Sequence, residues 1–106
     1  MDTKLDMMSF SILRNARRAK NLAYKALKQM KAGNLDEARE LIAQSDEATI
    51  EAQKAESDLL DFVQGNEKEV ETWVEHSQDH LMSSLIATET VKEMIEMYEG
   101  NLAVQA

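Results

Sequence analysis

The sequence contains no cysteine and no proline, and only three glycines among its 106 residues. The absence of cysteine excludes disulfides, a zinc–thiolate centre and a cysteine nucleophile. The absence of proline removes the strongest helix breaker. No stretch approaches the roughly eighteen consecutive apolar residues of a transmembrane helix, so direct membrane insertion is not expected. The opening residues, Met1-Asp2-Thr3-Lys4, lack the basic-then-apolar pattern of a secretory signal, and a cytoplasmic protein is the expectation. Positive charge is also short: 12 Lys and Arg face 20 Asp and Glu, for a formal net charge of -8. That balance argues against nucleic acid and anionic membranes as partners, and favours a partner presenting a basic patch.

What is present reads as helix. Ala, Leu, Met, Glu, Lys and Gln dominate, and all are strong helix formers. The chain is 43% hydrophobic and 30% charged, too apolar for a disordered chain. Its length suggests one domain, residues 1–106, with a limited core that oligomerisation could supplement. The six residues from Met1 to Asp6 are expected to be mobile.

All three glycines precede asparagine: Gly33-Asn34, Gly65-Asn66 and Gly100-Asn101. Glycine past a helix end takes the left-handed cap at little cost, and asparagine is a good N-cap for the helix that follows. Glu37 and Glu69 stand three residues after Asn34 and Asn66, as in a capping box. The pattern predicts three helices of about thirty residues joined by very short turns, and hence an antiparallel bundle.

Apolar spacing agrees. Ile12, Ala16, Ala19, Ala23, Ala26 and Met30 form one stripe, widened by Leu13 and Leu27. Ala38, Leu41, Ile42, Ala48, Ala52, Ala55, Leu59 and Phe62 form a second, with small residues that permit close helix approach. Val70, Val74, Ser77, Leu81, Ser84, Thr88, Val91, Ile95 and Tyr98 keep heptad spacing in the last segment. That segment carries another stripe: Trp73, His76, His80, Ser83, Ala87, Thr90, Met94 and Met97. Two stripes imply either a wide core face or a further partner, a ligand or another copy of the chain.

The chemistry concentrates in Glu75-His76-Ser77-Gln78-Asp79-His80-Leu81-Met82, which holds both histidines of the protein. At i and i+4 the two rings share one helix face. Three readings are open. The pair could bind zinc with a nearby carboxylate, although no other His or Cys offers a further ligand. His76 could be a nucleophile that accepts and releases a phosphoryl group, with Ser77, Gln78 and His80 as polar neighbours. Both histidines could also be no more than polar members of a half-buried face.

The run His76-Ser77-Gln78-Asp79-His80-Leu81-Met82, continuing to Glu93-Met94-Ile95-Glu96-Met97-Tyr98-Glu99, resembles the last helix of lactose/cellobiose-type IIA components of the sugar phosphotransferase system. Their signature there is His-Ala-Gln-Asp-His-Leu-Met. Leu22-Ala23-Tyr24-Lys25-Ala26-Leu27 and Ala32-Gly33-Asn34-Leu35-Asp36-Glu37-Ala38 are similar to that family's first helix and turn. The resemblance implies a homotrimer of three-helix units. It implies that His76 takes phosphate from the histidine phosphocarrier HPr and passes it to a cysteine of a IIB component, for uptake of a beta-linked disaccharide such as lactose or cellobiose. Gln78 and His80, as polar neighbours of His76, are the expected supporting residues. The resemblance further implies that Asp79 points to the three-fold axis and holds one divalent cation per trimer, with magnesium the expected ion. The chain departs from the family at Arg17 (usually Gly), at Ala19-Lys20-Asn21 (usually Ala-Arg-Ser), at Gln53 (usually His), at Glu56 (usually Gln) and at Glu75 (usually Val or Leu). These departures motivate an alternative, a non-catalytic structural or regulatory bundle that keeps the fold.

Overall fold

The computed structural model describes residues 3–65 and 67–105; for residues 3, 67–70, 72, 73 and 105 it describes the backbone alone. Three helices follow one another: α1 (Thr3–Lys31), α2 (Leu35–Phe62) and α3 (Glu67–Gln105). They form a rod of 58 × 18 × 16 Å. The expected mobile segment overlaps α1, which already includes Thr3 to Asp6 and buries Leu5. Met1 and Asp2 lie outside the described residues.

The first turn forms as the glycine pattern requires. Gly33 takes φ +85°. Its N–H donates to the Met30 carbonyl at 3.0 Å, and the Asn34 N–H donates to the Gln29 carbonyl at 2.8 Å. This is a Schellman motif, which satisfies two orphan carbonyls at the end of α1. The capping-box expectation fails at Asn34, whose side chain makes no cap hydrogen bond to α2. Its Nδ2 instead donates to Gln29 Oε1 at 2.8 Å, tying the turn back to α1. Asn66 lies outside the described residues. Gly65 is also left-handed, at φ +93°. Gly100 is not: α3 runs through it to Gln105.

All six members of the first stripe, from Ile12 to Met30, are buried. The core is layered along the rod. Leu5, Ile12, Leu59 and Val63 pack at one end with Val74 against them. Ala16, Ala52 and Leu81 form the next layer, and Ala19, Leu22 and Ala48 another. Ala23, Ala26, Met30, Ala38, Ile42, Val91 and Ile95 fill the far end. Along α1 the partners on α2 fall in number and those on α3 rise, so α2 runs antiparallel and α3 parallel to α1. Phe62, expected inside, is exposed, and Val63 takes the buried position.

Polar side chains occupy the middle of the core. Ser45 Oγ donates to the Ala19 carbonyl at 2.7 Å and lies 2.9 Å from Thr88 Oγ1. These bonds join all three helices where small residues bring them close. Ser45→Val should cost about 1–3 kcal/mol, because it leaves the buried Thr88 hydroxyl without this partner. A lower urea midpoint at unchanged slope is the expected reading. On the surface Lys92 of α3 meets Asp46 of α2 at 2.8 Å, and this hydrogen bond raises the lysine pKa.

Candidate functional site

The heptad stripe of α3 points inward: Ser77, Leu81, Ser84, Thr88, Val91 and Ile95 are all buried. The other stripe is left outside. His76, His80, Ser83, Thr90, Met94 and Met97 are exposed and Ala87 is half-buried, so a wide core face does not account for it. Trp73 and Val70 lie outside the described side chains.

His76 and His80 touch edge to face, with ring centroids 4.7 Å apart and planes at 75°. The i, i+4 spacing on a straight helix produces this contact directly. The two rings line a shallow cleft of about 250 Å³ between α1 and α3, together with Asp79, Ser83 and Lys20. Lys20 comes from α1 and donates from Nζ to Ser83 Oγ at 3.1 Å. An exposed imidazole thus shares a cleft with an ammonium group, a hydroxyl and a second imidazole. That set can present a nucleophilic nitrogen and hold the oxygens of an anion beside it.

The remaining sequence candidates fall elsewhere. Ser77 turns into the core, where its hydroxyl is buried without a hydrogen-bond partner, so it is not a donor in the cleft. Gln78 is exposed and does not line the cleft of this chain. Residues two apart on a helix do not face each other. Glu75, Arg17 and Gln53 are exposed and also stand outside the cleft lining. Water therefore screens the charge of Glu75.

Asp79 is exposed and borders two features at once. One is the His76 cleft. The other is a larger groove of about 560 Å³ running along α1 and α3, where Met82, Ile86 and Met94 are exposed. Among the described residues no group of three or more His, Asp or Glu side chains could hold a metal ion. A zinc site within one chain, from His76 and His80, has no further ligand. Any cation at Asp79 would need carboxylates from other copies.

Lys20 is the functional candidate that periodicity does not reveal. On α1 it is one more cation. Only the packing of α1 beside α3 puts it against Ser83. Ser83 does carry a signal, as a member of the outer stripe.

Comparison with known proteins gives the family of the chain and of its fold. Residues 7–99 match the family described as the lactose/cellobiose-specific IIA subunit of the phosphotransferase system. The N,N'-diacetylchitobiose-specific EIIA component of Escherichia coli K12 is 36% identical over 97 residues, covering 91% of this chain and 84% of that protein. The lactose-specific EIIA component of Streptococcus mutans is 34% identical over 94 residues, covering 88% of this chain and 90% of that one. Among solved structures, the IIA(chitobiose) chain of the Escherichia coli IIA–HPr complex superposes with a TM-score of 0.81 at 34% identity, covering 96% of this chain and 97% of that one. PtcA from S. mutans gives 0.81 at 30% identity, with 93% and 99% covered. A helical rod with an exposed histidine on its last helix, matched over nearly its whole length in sequence and in shape, belongs to the lactose/cellobiose-specific IIA family of phosphotransferase-system components.

Proposed function

We propose that His76 is the phosphoryl carrier of this IIA subunit. Its imidazole nitrogen attacks the phosphorus of phospho-HPr; the phosphorus–nitrogen bond on the donor histidine breaks as the new one forms on His76. In the second step a thiolate of a IIB component attacks that phosphorus, and His76 leaves as a neutral imidazole. The observation that carries this reading is the cleft itself, where His76 is exposed beside Lys20, Ser83 and His80. A transferring phosphoryl group needs positioning and charge stabilisation more than covalent help, and an ammonium with hydroxyl and imidazole donors supplies both. The sugar served is a beta-linked disaccharide of the lactose or cellobiose kind, and the working compartment is the cytoplasm. Among the described residues no helix is long and apolar enough to cross a membrane.

The groove beside Asp79 fits a second copy of the chain. Exposed Met82 and Ile86 line it beside Ser83, Ala87, Thr90 and Met94 of the outer stripe, which gains a purpose as the subunit interface of a homotrimer. Three Asp79 carboxylates would then meet on the axis, and one divalent cation, magnesium by its preference for oxygen ligands, would neutralise them. Bound there, the cation supplies charge balance for assembly.

Incubation with phosphoenolpyruvate, the general phosphotransferase proteins and labelled phosphate tests the carrier reading. The expected product is an acid-labile, base-stable phosphohistidine. No label under any supply of phospho-HPr, with the fold intact, would favour the non-catalytic bundle. Lys20→Met should slow labelling roughly 10- to 100-fold, the loss of about 1.5–3 kcal/mol from one charge-assisted hydrogen bond. Lys20→Arg should restore most of the rate. Equal rates for Lys20→Met and the parent would remove Lys20 from the site.

A further inference from the structure

The charge of this chain is divided by helix. α1 carries eight of the twelve Lys and Arg but only one of the twenty Asp and Glu, Asp6. The described cations of α2 and α3 are all ion-paired: Arg39 with Asp36 and Glu99, Lys54 with Glu51, Lys92 with Asp46 and Glu89. Arg17 and Lys20 of α1 have no ion-pair partner among the described residues. Their places show what could answer them. Lys20 and Tyr24 both line the seam between α1 and α3. Arg17 precedes them by one turn and two turns, so it flanks the same seam. Along that seam Ala16 packs with Leu81, and Lys20 meets Ser83. The two helices run parallel. The step back from Lys20 to Arg17, a rise of roughly 4.5 Å, therefore moves from the level of Ser83 toward His80. Helix side chains tilt toward the N-terminus of their own helix, which carries the reach of Arg17 on toward His76. Here Arg17 is exposed and lies along the outer groove of about 390 Å³, beside Leu13 and Arg14. Two departures from the family pattern point the same way. Position 17 usually holds Gly and position 20 Arg, whereas this chain has Arg17 and Lys20. The guanidinium is displaced by one turn toward His76, and an ammonium takes its former place.

We propose that Arg17 is a swinging phosphate clamp for the His76 cleft. Its guanidinium turns about its side-chain bonds from the outer groove onto the oxygens of the phosphoryl group that enters or leaves His76. The proposal rests on His76 being the carrier. Lys20 is held by its bond to Ser83 and supplies a fixed charge. Arg17 is unanswered at rest and adds a planar fork, which grips two phosphoryl oxygens where an ammonium grips one. Two cations one turn apart repel each other, and an anion between them turns that cost into a gain. No bond to Arg17 forms or breaks. It offsets charge on the equatorial oxygens, which is the same charge whether the phosphoryl group arrives from the donor histidine or departs to a thiolate. Both partners come to the one His76 ring, so a single clamp serves both steps.

The test compares the parent chain with Arg17→Gln, Arg17→Lys and Arg14→Gln. Arg14 borders the same outer groove but stands six residues before Lys20, off its face, so Arg14→Gln controls for charge alone. Labelling of each chain is timed with two donors, phospho-HPr and phosphoramidate. The second is a small molecule that needs no docking surface. Transfer from each labelled chain to a purified IIB component is timed as well. Arg17→Gln should slow all three reactions about tenfold or more, with Arg17→Lys between it and the parent and Arg14→Gln within about twofold of the parent. In the isotope-labelled parent, phosphorylation should move the Arg17 Nε–Hε NMR resonance downfield and leave that of Arg14 in place. Parental rates in Arg17→Gln with an unmoved Arg17 resonance overturn the proposal. So do equal losses in Arg14→Gln and Arg17→Gln, which would mean a general field, and a loss seen with phospho-HPr but not with phosphoramidate, which would mean docking. A parent that takes no label from either donor overturns the carrier reading, and the clamp with it. A parent that labels beside an Arg17→Gln chain that labels as fast overturns the clamp alone.

Discussion

His76→Ala should take up no phosphate from phospho-HPr, a loss of more than about 10⁴-fold in labelling rate, while its helical content and melting stay at parental values. The substitution removes the proposed nucleophile outright, and no neighbouring group replaces it. Asp79 would give an acyl phosphate of different lability. Ser83 is already engaged by Lys20 at 3.1 Å. His80 is the instructive control. Its ring leans on His76 with 4.7 Å between centroids. His80→Ala should therefore weaken orientation of the acceptor and slow labelling, without abolishing it. Both residues are exposed, and surface changes of this kind usually shift stability by less than about 0.5 kcal/mol. Lost labelling in His76→Ala would thus be a chemical result and not a folding one. Full labelling of His76→Ala would refute the assignment, and full labelling lost only in His80→Ala would move it to the second ring.

The buried face of each helix is legible in the sequence because burial is periodic. Ile12 to Met30 on α1 and Ser77 to Ile95 on α3 go inside as spacing demands, polar members included. Ser84 and Thr88 belong to the core because position on the helix outweighs the small cost of a hydroxyl that finds a partner, and Ser77 goes inside with them without one. Terminal chemistry is less legible. Gly33 and Gly100 have the same neighbour, Asn, but Gly33 ends its helix in the left-handed conformation whereas Gly100 lies inside α3. Asn34 can cap α2 or bond Gln29, and it does the second. The site is half legible. His76, Asp79, His80 and Ser83 share a face by spacing alone. Lys20 lies 63 residues before Ser83, and no local pattern relates them. The division of charge between helices is visible in the sequence, but a net value of -8 conceals it. Pairing in three dimensions shows which cations are answered and which are not.

On the assembly proposed above, Asp79→Leu should give a trimer that survives chelation where the parent does not. In one chain Asp79 costs nothing, since it is exposed to water. Its position matters on assembly, because it stands where the His76 cleft meets the apolar groove of Met82, Ile86 and Met94. Closing that groove with other copies would carry three carboxylates out of water and toward one another. Each would be desolvated and repelled, and a divalent ion would offset both terms. Replacing buried charges with well-packed apolar groups is often neutral or stabilising by about 1–4 kcal/mol. With leucine, the carboxylate would leave that seam of α3, and the trimer should gain stability of that order. Sedimentation in EDTA is the measurement. The parent should dissociate toward monomer or melt earlier, and Asp79→Leu should keep trimer mass at the same protein concentration. The substitution spares His76, His80, Ser83 and Lys20, so labelling of the variant should persist and separate assembly from transfer. A variant found only as monomer would mean that Asp79 does not face the three-fold axis, and that the outer stripe of α3 has some other cover.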